Sequence, residues 1–244
     1  MSSSENDPLV WIDCEMTGLD LQQDALVEIA VIVTDSDLNP LGEGIDLIIK
    51  PPAAALEGMN DFVRSMHTTS GLLEELDGGI PLAEAEARVL AYVKQFCPTE
   101  RKAILAGNSV HTDKSFLDRD MPELMSHLHY RIVDVSSLKE LARRWYPRAY
   151  YNAPKKEGGH RAMADILESI QELAYYRDVL LPAPPGPSMT TCKRAARRLL
   201  AERDQRAAAA GVVFVKAGEA IEAAEGAEAP ACGCEAGKPA GAGE

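Results

Sequence analysis

The chain has 244 residues, enough for one domain of ordinary size with extensions, and its 46% apolar content can furnish a core. Its formal charge of −13 argues against a protein that coats long nucleic acid electrostatically, though not against a small anionic substrate held by a metal and a few local cations. No run approaches the ~20 apolar residues of a membrane span, residues 1–8 read as a flexible lead-in without a secretory signal, and five cysteines suit a reducing cytoplasm rather than a disulfide framework.

Leu9 to Cys14 reads as a buried strand, and Leu26 to Thr34, rich in β-branched residues, as a second. Gly44 to Lys50 is a third, ended by Pro51-Pro52; the short connections favour an antiparallel meander. Ala54 to Met66 is read as a helix or an irregular lid, Thr69 to Leu76 as a short helix, and Pro81 to Phe96 as a clear one with apolar residues at helical spacing. Ala103 to Gly107 is a fourth strand, expected parallel to the first because it returns after a helix. Two helical pieces follow, Lys114 to Met121 and Pro122 to His129. Tyr130 to Val135 is a fifth strand, Ser136 to Tyr146 a helix capped by Ser136 or Ser137, Tyr150 to Gly159 a loop, and Arg161 to Leu180 a long helix. The elements describe an α/β domain with a five-stranded mixed sheet flanked by helices.

Pro182 to Pro187 stops that domain, read as residues 9–181. Residues 182–210 are read as a Pro-rich linker and an accessory helix carrying Lys193, Arg194, Arg197, Arg198, Arg203 and Arg206. Residues 211–244, rich in Ala, Gly and Glu, are expected to be disordered, and residues 207–244 supply −4 of the charge. Cys232 and Cys234 lie there with no second pair and are read as incidental.

The chemistry starts at Asp13-Cys14-Glu15. Side chains two apart on a strand share a face, so two carboxylates stand together before a Gly turn. Like charges so close are relieved by a cation or a shared proton, and hard divalent ions take oxygen ligands. Asp113, after Gly107-Asn108-Ser109, would open the helix following the fourth strand. Asp165 lies about one turn into the long helix, and His160 precedes it on a loop that Gly158 and Gly159 allow to move. Four acids from three segments and a histidine are the parts that two-metal phosphodiester hydrolysis needs.

In that order these motifs resemble the DEDDh 3′-to-5′ exonucleases, whose fold is the RNase H-like mixed sheet. Trp11 to Leu19, His129-Tyr130-Arg131, Asp134 to Trp145 and Glu172 to Arg177 narrow the resemblance to the oligoribonuclease family, over roughly residues 9 to 180. The resemblance implies that Asp13, Glu15, Asp113 and Asp165 hold two Mg²⁺ or Mn²⁺ ions and that His160 is the general base. It implies that Leu19 wedges against the bases, that Phe62 stacks on one where the family usually has Trp, and that His67 contacts the 3′ nucleotide or its phosphate. Ser109, Arg131 and Ser136 would close over the 5′ phosphate, with Tyr130 supplied by the second subunit of a homodimer. The implied activity is 3′-to-5′ hydrolysis of short RNAs, dinucleotides especially, to 5′-mononucleotides; the cytoplasmic location is expected from the cysteine usage alone.

Two other readings stand beside this one. A DEDDh nuclease on longer RNA or on DNA 3′ ends would draw on the basic helix. A non-catalytic nucleic-acid-binding module would predict loss of a carboxylate or of the histidine, and none is missing.

Overall fold

The computed structural model of the chain describes residues 8–155 and 159–211. The expected flexible lead-in (apart from Pro8) and the expected disordered tail (apart from Gly211), with Cys232 and Cys234, lie outside the described residues. The chain divides into two compact units between Pro184 and Pro185.

The first unit is built on five strands, β1 (Leu9–Met16), β2 (Leu26–Thr34), β3 (Ile45–Ile48), β4 (Ile104–Gly107) and β5 (His129–Asp134). They form one mixed sheet in the order β3-β2-β1-β4-β5. β1, β2 and β3 pair antiparallel, as their short connections allow, whereas β4 and β5 return after helical crossovers and pair parallel. The expected fold class is borne out.

The helices are α1 (Ala53–Gly58), α2 (Asp61–Thr69), α3 (Leu72–Glu75), α4 (Leu82–Phe96), α5 (His111–Asp120), α6 (Pro122–His127), α7 (Val135–Trp145), α8 (Pro147–Tyr151) and α9 (Ala162–Leu180). Strand alternation sorts the core into two layers. Val10, Ile12, Cys14 and Met16 of β1 join Ile29, Val31 and Val33 of β2 under α4, α5 and α6. Trp11, Ala30, Ile32 and Ala106 face the other way, against Val135 of α7 and Ala162 and Ile166 of α9. Asp13 and Glu15 follow Trp11 in alternation, so both carboxylates emerge on the α9 face.

Several boundaries differ from the sequence reading, each for a local reason. β1 runs on to Met16 because β2 still pairs with it, up to an irregularity between Glu15 and Met16; the two acids therefore sit within the strand, not at its end. The stretch 54–66 is two helices, since Asn60 is extended and its side chain caps α2 by accepting from the Val63 amide at 3.0 Å. α7 is capped by Asp134 rather than Ser136 or Ser137, with Asp134 Oδ1 accepting from the Ser136 amide at 3.1 Å. α8, which starts on Pro147, was not foreseen.

The second unit contains α10 (Met189–Ala209), whose N-terminus is capped by Ser188. Its Lys193, Arg194 and Arg197 are exposed, while Arg198 and Arg203 reach Glu202 and Asp204. Among the described residues no helix is long and apolar enough to cross a membrane.

Candidate active site

The acidic cluster is assembled where β1 outruns β4. β4 pairs only with Leu9, Val10 and Trp11, so the β4-facing edge of β1 beyond Trp11 has no strand partner. Gly107 ends β4 so close to β1 that an added Cβ would lie 3.0 Å from the Ile12 carbonyl oxygen. The chain then turns through Ser109, at φ 53°, into α5. This brings Asp113, in the first turn of α5, against β1, where its Oδ1 accepts the orphaned Cys14 amide at 3.0 Å.

Asp165 enters from the other side of β1, in the first turn of α9, and His160 lies just before that helix. Glu15, His160 and Asp165 each offer a ligand atom within 4.8 Å of the others. Glu15 and Asp113 are buried, Asp13 and Asp165 half-buried and His160 exposed, so the cluster opens to solvent on one side.

The electrostatics follow from the packing. Burial, reinforced by Glu28, Asp165 and Asp113, pushes the Glu15 carboxyl up to about 8. Burial likewise raises Asp113 to about 7 against the opposing pull of the Cys14 amide. Clustered oxygen donors whose charged forms are this disfavoured are what a divalent cation relieves, so the residues present fit an oxygen-liganded divalent ion.

Of three further expected residues, Phe62 and His67 adjoin the cluster and Leu19 stands on the loop after β1. Leu19 is 75% exposed at the tip of the loop after β1. That loop is tied down by Asp24, which accepts from Thr17 Oγ1 and from the Asp20 amide, both at 2.8 Å, and by Arg119, which donates to the Asp24 and Leu21 carbonyls. An added Cβ at Gly18 would meet the Asp24 carboxylate at 2.4 Å, so a bare residue is needed there. On α2, Phe62 is 78% exposed, which excludes a core role, and it lines one open pocket with His160. His67 is fully buried: Nε2 donates to the Met16 carbonyl at 2.8 Å, and Nδ1 lies 4.0 Å from Glu15 Oε2.

The serines predicted for the phosphate contact meet at the start of α7. Ser109 Oγ and Ser136 Oγ are 3.0 Å apart, and Asp134 accepts the Ser109 amide at 2.8 Å as well as the Ser136 amide. Tyr130 and Arg131 stand exposed on β5, the edge strand, with Tyr130 stacked on His129 at 4.5 Å and the Arg131 guanidinium 5.5 Å from the Tyr130 ring.

Sequence reasoning missed the residues that hold these groups in place. Asn108 accepts from Ser136 Oγ at 3.1 Å and donates to Ser169 Oγ at 2.8 Å and Glu172 Oε2 at 3.1 Å, linking the serine pair to the helix that carries Asp165. Asp134 is the organiser of the serine pair, accepting both serine amides. Glu28, opposite Glu15 in the sheet and fully buried, and Arg161 were not singled out at all. An acid in the middle of an apolar β-branched run was the available signal for Glu28.

Known proteins resemble the chain in both sequence and fold. The profile of the family described as exonuclease (RNase_T) matches residues 10–173. The chain is 63% identical over 186 residues to the oligoribonuclease of Leifsonia xyli, a match covering 76% of this chain and 90% of that protein. It is 62% identical over 196 residues to the oligoribonuclease of Streptomyces griseus, covering 80% and 98%. Among solved structures it is similar to exonuclease I from Methylocaldum szegediense, at 20% identity and a TM-score of 0.52, covering 71% of this chain and 41% of that one. E. coli exonuclease I in complex with an oligonucleotide is similar at 17% identity and a TM-score of 0.55, with 71% and 41% covered. At such identities the structural likeness speaks for the fold alone.

Proposed function

This chain belongs to the oligoribonuclease family of exonucleases, and from that premise we propose how its own residues carry the reaction. It is a hydrolase, a 3′-to-5′ exoribonuclease. The observation that carries the assignment of the chemistry is the convergence of Glu15, Asp165 and His160 within 4.8 Å, beside Asp113. Asp13, Glu15, Asp113 and Asp165 would hold two divalent ions, Mg²⁺ or Mn²⁺, which would supply positive charge to the phosphodiester under attack.

His160 takes the proton of the attacking water on an imidazole nitrogen. The water oxygen bonds to phosphorus, the bond to the 3′ oxygen of the preceding nucleotide breaks, and a 5′-mononucleotide leaves. Phe62 stacks on one base and Leu19 wedges against the bases, so the terminal phosphodiester is held at the carboxylates. His67, expected to contact the 3′ nucleotide, is fully buried and instead backs this end of the site through the Met16 carbonyl and Glu15.

At the other end, the hydroxyls of Ser109 and Ser136 and the Arg131 guanidinium take the 5′ phosphate, while Asp134 holds the two serine amides and so fixes the hydroxyl pair. A substrate whose 5′ phosphate is bound there spans only a few nucleotides, so dinucleotides and very short RNAs are the preferred substrates. The protein acts in the cytoplasm as a homodimer in which Tyr130 of each copy completes the other's cap. The exposed Tyr130 and Ile132 on the edge strand support an interface there.

A length series tests the reading. Initial rates are measured on 5′-phosphorylated RNAs from dinucleotide to twenty-mer, with Mn²⁺ and with chelator, alongside the mass of the protein in solution. Steeply faster turnover of the dinucleotide, lost with chelator, is expected. Metal-dependent rates indifferent to length would keep the chemistry but remove the cap, and the exposed cations of α10 would then favour a path for longer nucleic acid. A monomer with full activity would remove the role of Tyr130.

A further inference from the structure

His160 sits at φ 48°, in the left-handed region that few residues other than glycine occupy. Such a conformation persists where neighbouring structure over-determines it. The next residue, Arg161, is the N-cap of α9, yet its side chain caps nothing. Instead its Nε donates to Glu28 Oε1 at 2.8 Å, while Nη1 and Nη2 grip Glu75 in the two-toothed manner, at 2.9 and 3.0 Å. The second oxygen of Glu28 accepts the Ala162 amide at 3.1 Å, so one buried carboxylate from β2 holds both the side chain of Arg161 and the first turn of α9.

Docking of α9 does not need this bridge, because Ala162 and Ile166 already seat the helix in the core. What the bridge adds is a fixed position for the peptide that carries His160. It joins that peptide to the sheet opposite Glu15 and to α3, which follows the helix carrying Phe62. Phe62 and His160 line the same pocket.

We propose that Arg161, clamped between Glu28 and Glu75, is a positioning residue for the general base, holding His160 at the acidic cluster without touching substrate. The proposal rests on the reading of His160 as the base. A rigid fork with donors on two edges is what spans two carboxylates from different elements; a lysine ammonium offers one point.

The test is a set of variants of the full chain, assayed on a dinucleotide with Mn²⁺: Arg161→Ala, Arg161→Lys, Glu75→Ala, His160→Ala and the double variant His160→Ala/Arg161→Ala. Arg161→Ala is expected to lower kcat roughly 10- to 100-fold, as misplacement of a catalytic group by about 1 Å does, with KM within about threefold of the unaltered enzyme. Arg161→Lys should recover little of that loss, and Glu75→Ala, which spares the buried limb, should lose less. In the His160→Ala background, removing Arg161 should slow the reaction by less than about twofold, because the group it positions is gone. An undiminished further loss there would overturn the proposal while leaving the base assignment intact. Full activity of His160→Ala would overturn the base assignment itself, a distinguishable failure. If Arg161→Ala does not fold, Arg161→Lys and Glu75→Ala decide, and unchanged kcat in both would refute the clamp.

Discussion

Replacing Glu15 by Gln should stabilise the metal-free protein at alkaline pH while destroying its response to metal. Glu15 is 8% exposed, and its carboxyl is held at about 8 rather than 4.5, first by burial and then by Glu28, Asp165 and Asp113. Holding it ionised in the fold therefore costs on the order of 5 kcal/mol, an upper figure, and roughly 3 kcal/mol if local water and small shifts relax the cluster. The folded value lies above the unfolded one, so the folded chain retains the proton. The stability this group contributes is complete below about 4.5 and is lost as pH rises through about 8. Asp113, raised to about 7, acts in the same direction.

A carboxamide has the shape of the protonated carboxyl and never ionises. The metal-free variant should match the unaltered protein at pH about 4.5 and exceed it by on the order of 3 kcal/mol at pH about 9, roughly 10 °C in melting midpoint for a unit of this size. Denaturant and thermal midpoints in chelator across that range provide the assay, repeated with saturating Mn²⁺. Metal should restore the unaltered protein by about 3 kcal/mol at a hundredfold excess over Kd and do far less for the variant. Midpoints that fall in parallel for both proteins in chelator would refute the electrostatic account of the cluster.

Asp13→Ala should abolish dinucleotide hydrolysis, by about a hundredfold or more, and leave the circular dichroism spectrum of the metal-free protein unchanged; activity within about tenfold would remove Asp13 from the site. Arg131→Ala should weaken binding of a 5′-phosphorylated dinucleotide by ~1.5–3 kcal/mol, as loss of a charge-assisted hydrogen bond does, and spare its unphosphorylated counterpart. Equal losses on both, read by titration calorimetry, would dismiss the phosphate contact. Phe62→Ala should raise the dinucleotide Kd by the ~1–3 kcal/mol of one base–aromatic stack, and Phe62→Trp should lower it; insensitivity to both would show that the exposed ring is not a stacking platform.

The two levels of information divide according to range along the chain. Alternation at Trp11, Asp13 and Glu15 put both carboxylates on one face of a strand, and the turn and proline signals bounded the meander, because these are properties of a few adjacent residues. The order of Asp13, Glu15, Asp113, His160 and Asp165 was enough to point to the chemistry, since carboxylates and an imidazole are candidate ligands and base whatever their surroundings. What holds them was not legible. The Cys14 amide can donate to Asp113 only because β4 stops pairing at Trp11, a matter of register between strands distant in sequence. The cap of α7 fell to Asp134 because that side chain serves Ser109 and Ser136 together, across 25 residues. Glu28 and Arg161, separated by 133 residues, look like a misplaced acid and an ordinary surface cation until the sheet and α9 bring them to 2.8 Å. The sequence by itself determined which groups could do the chemistry; only the tertiary structure decided how they are held, because hydrogen bonds and burial depend on neighbours that folding alone supplies.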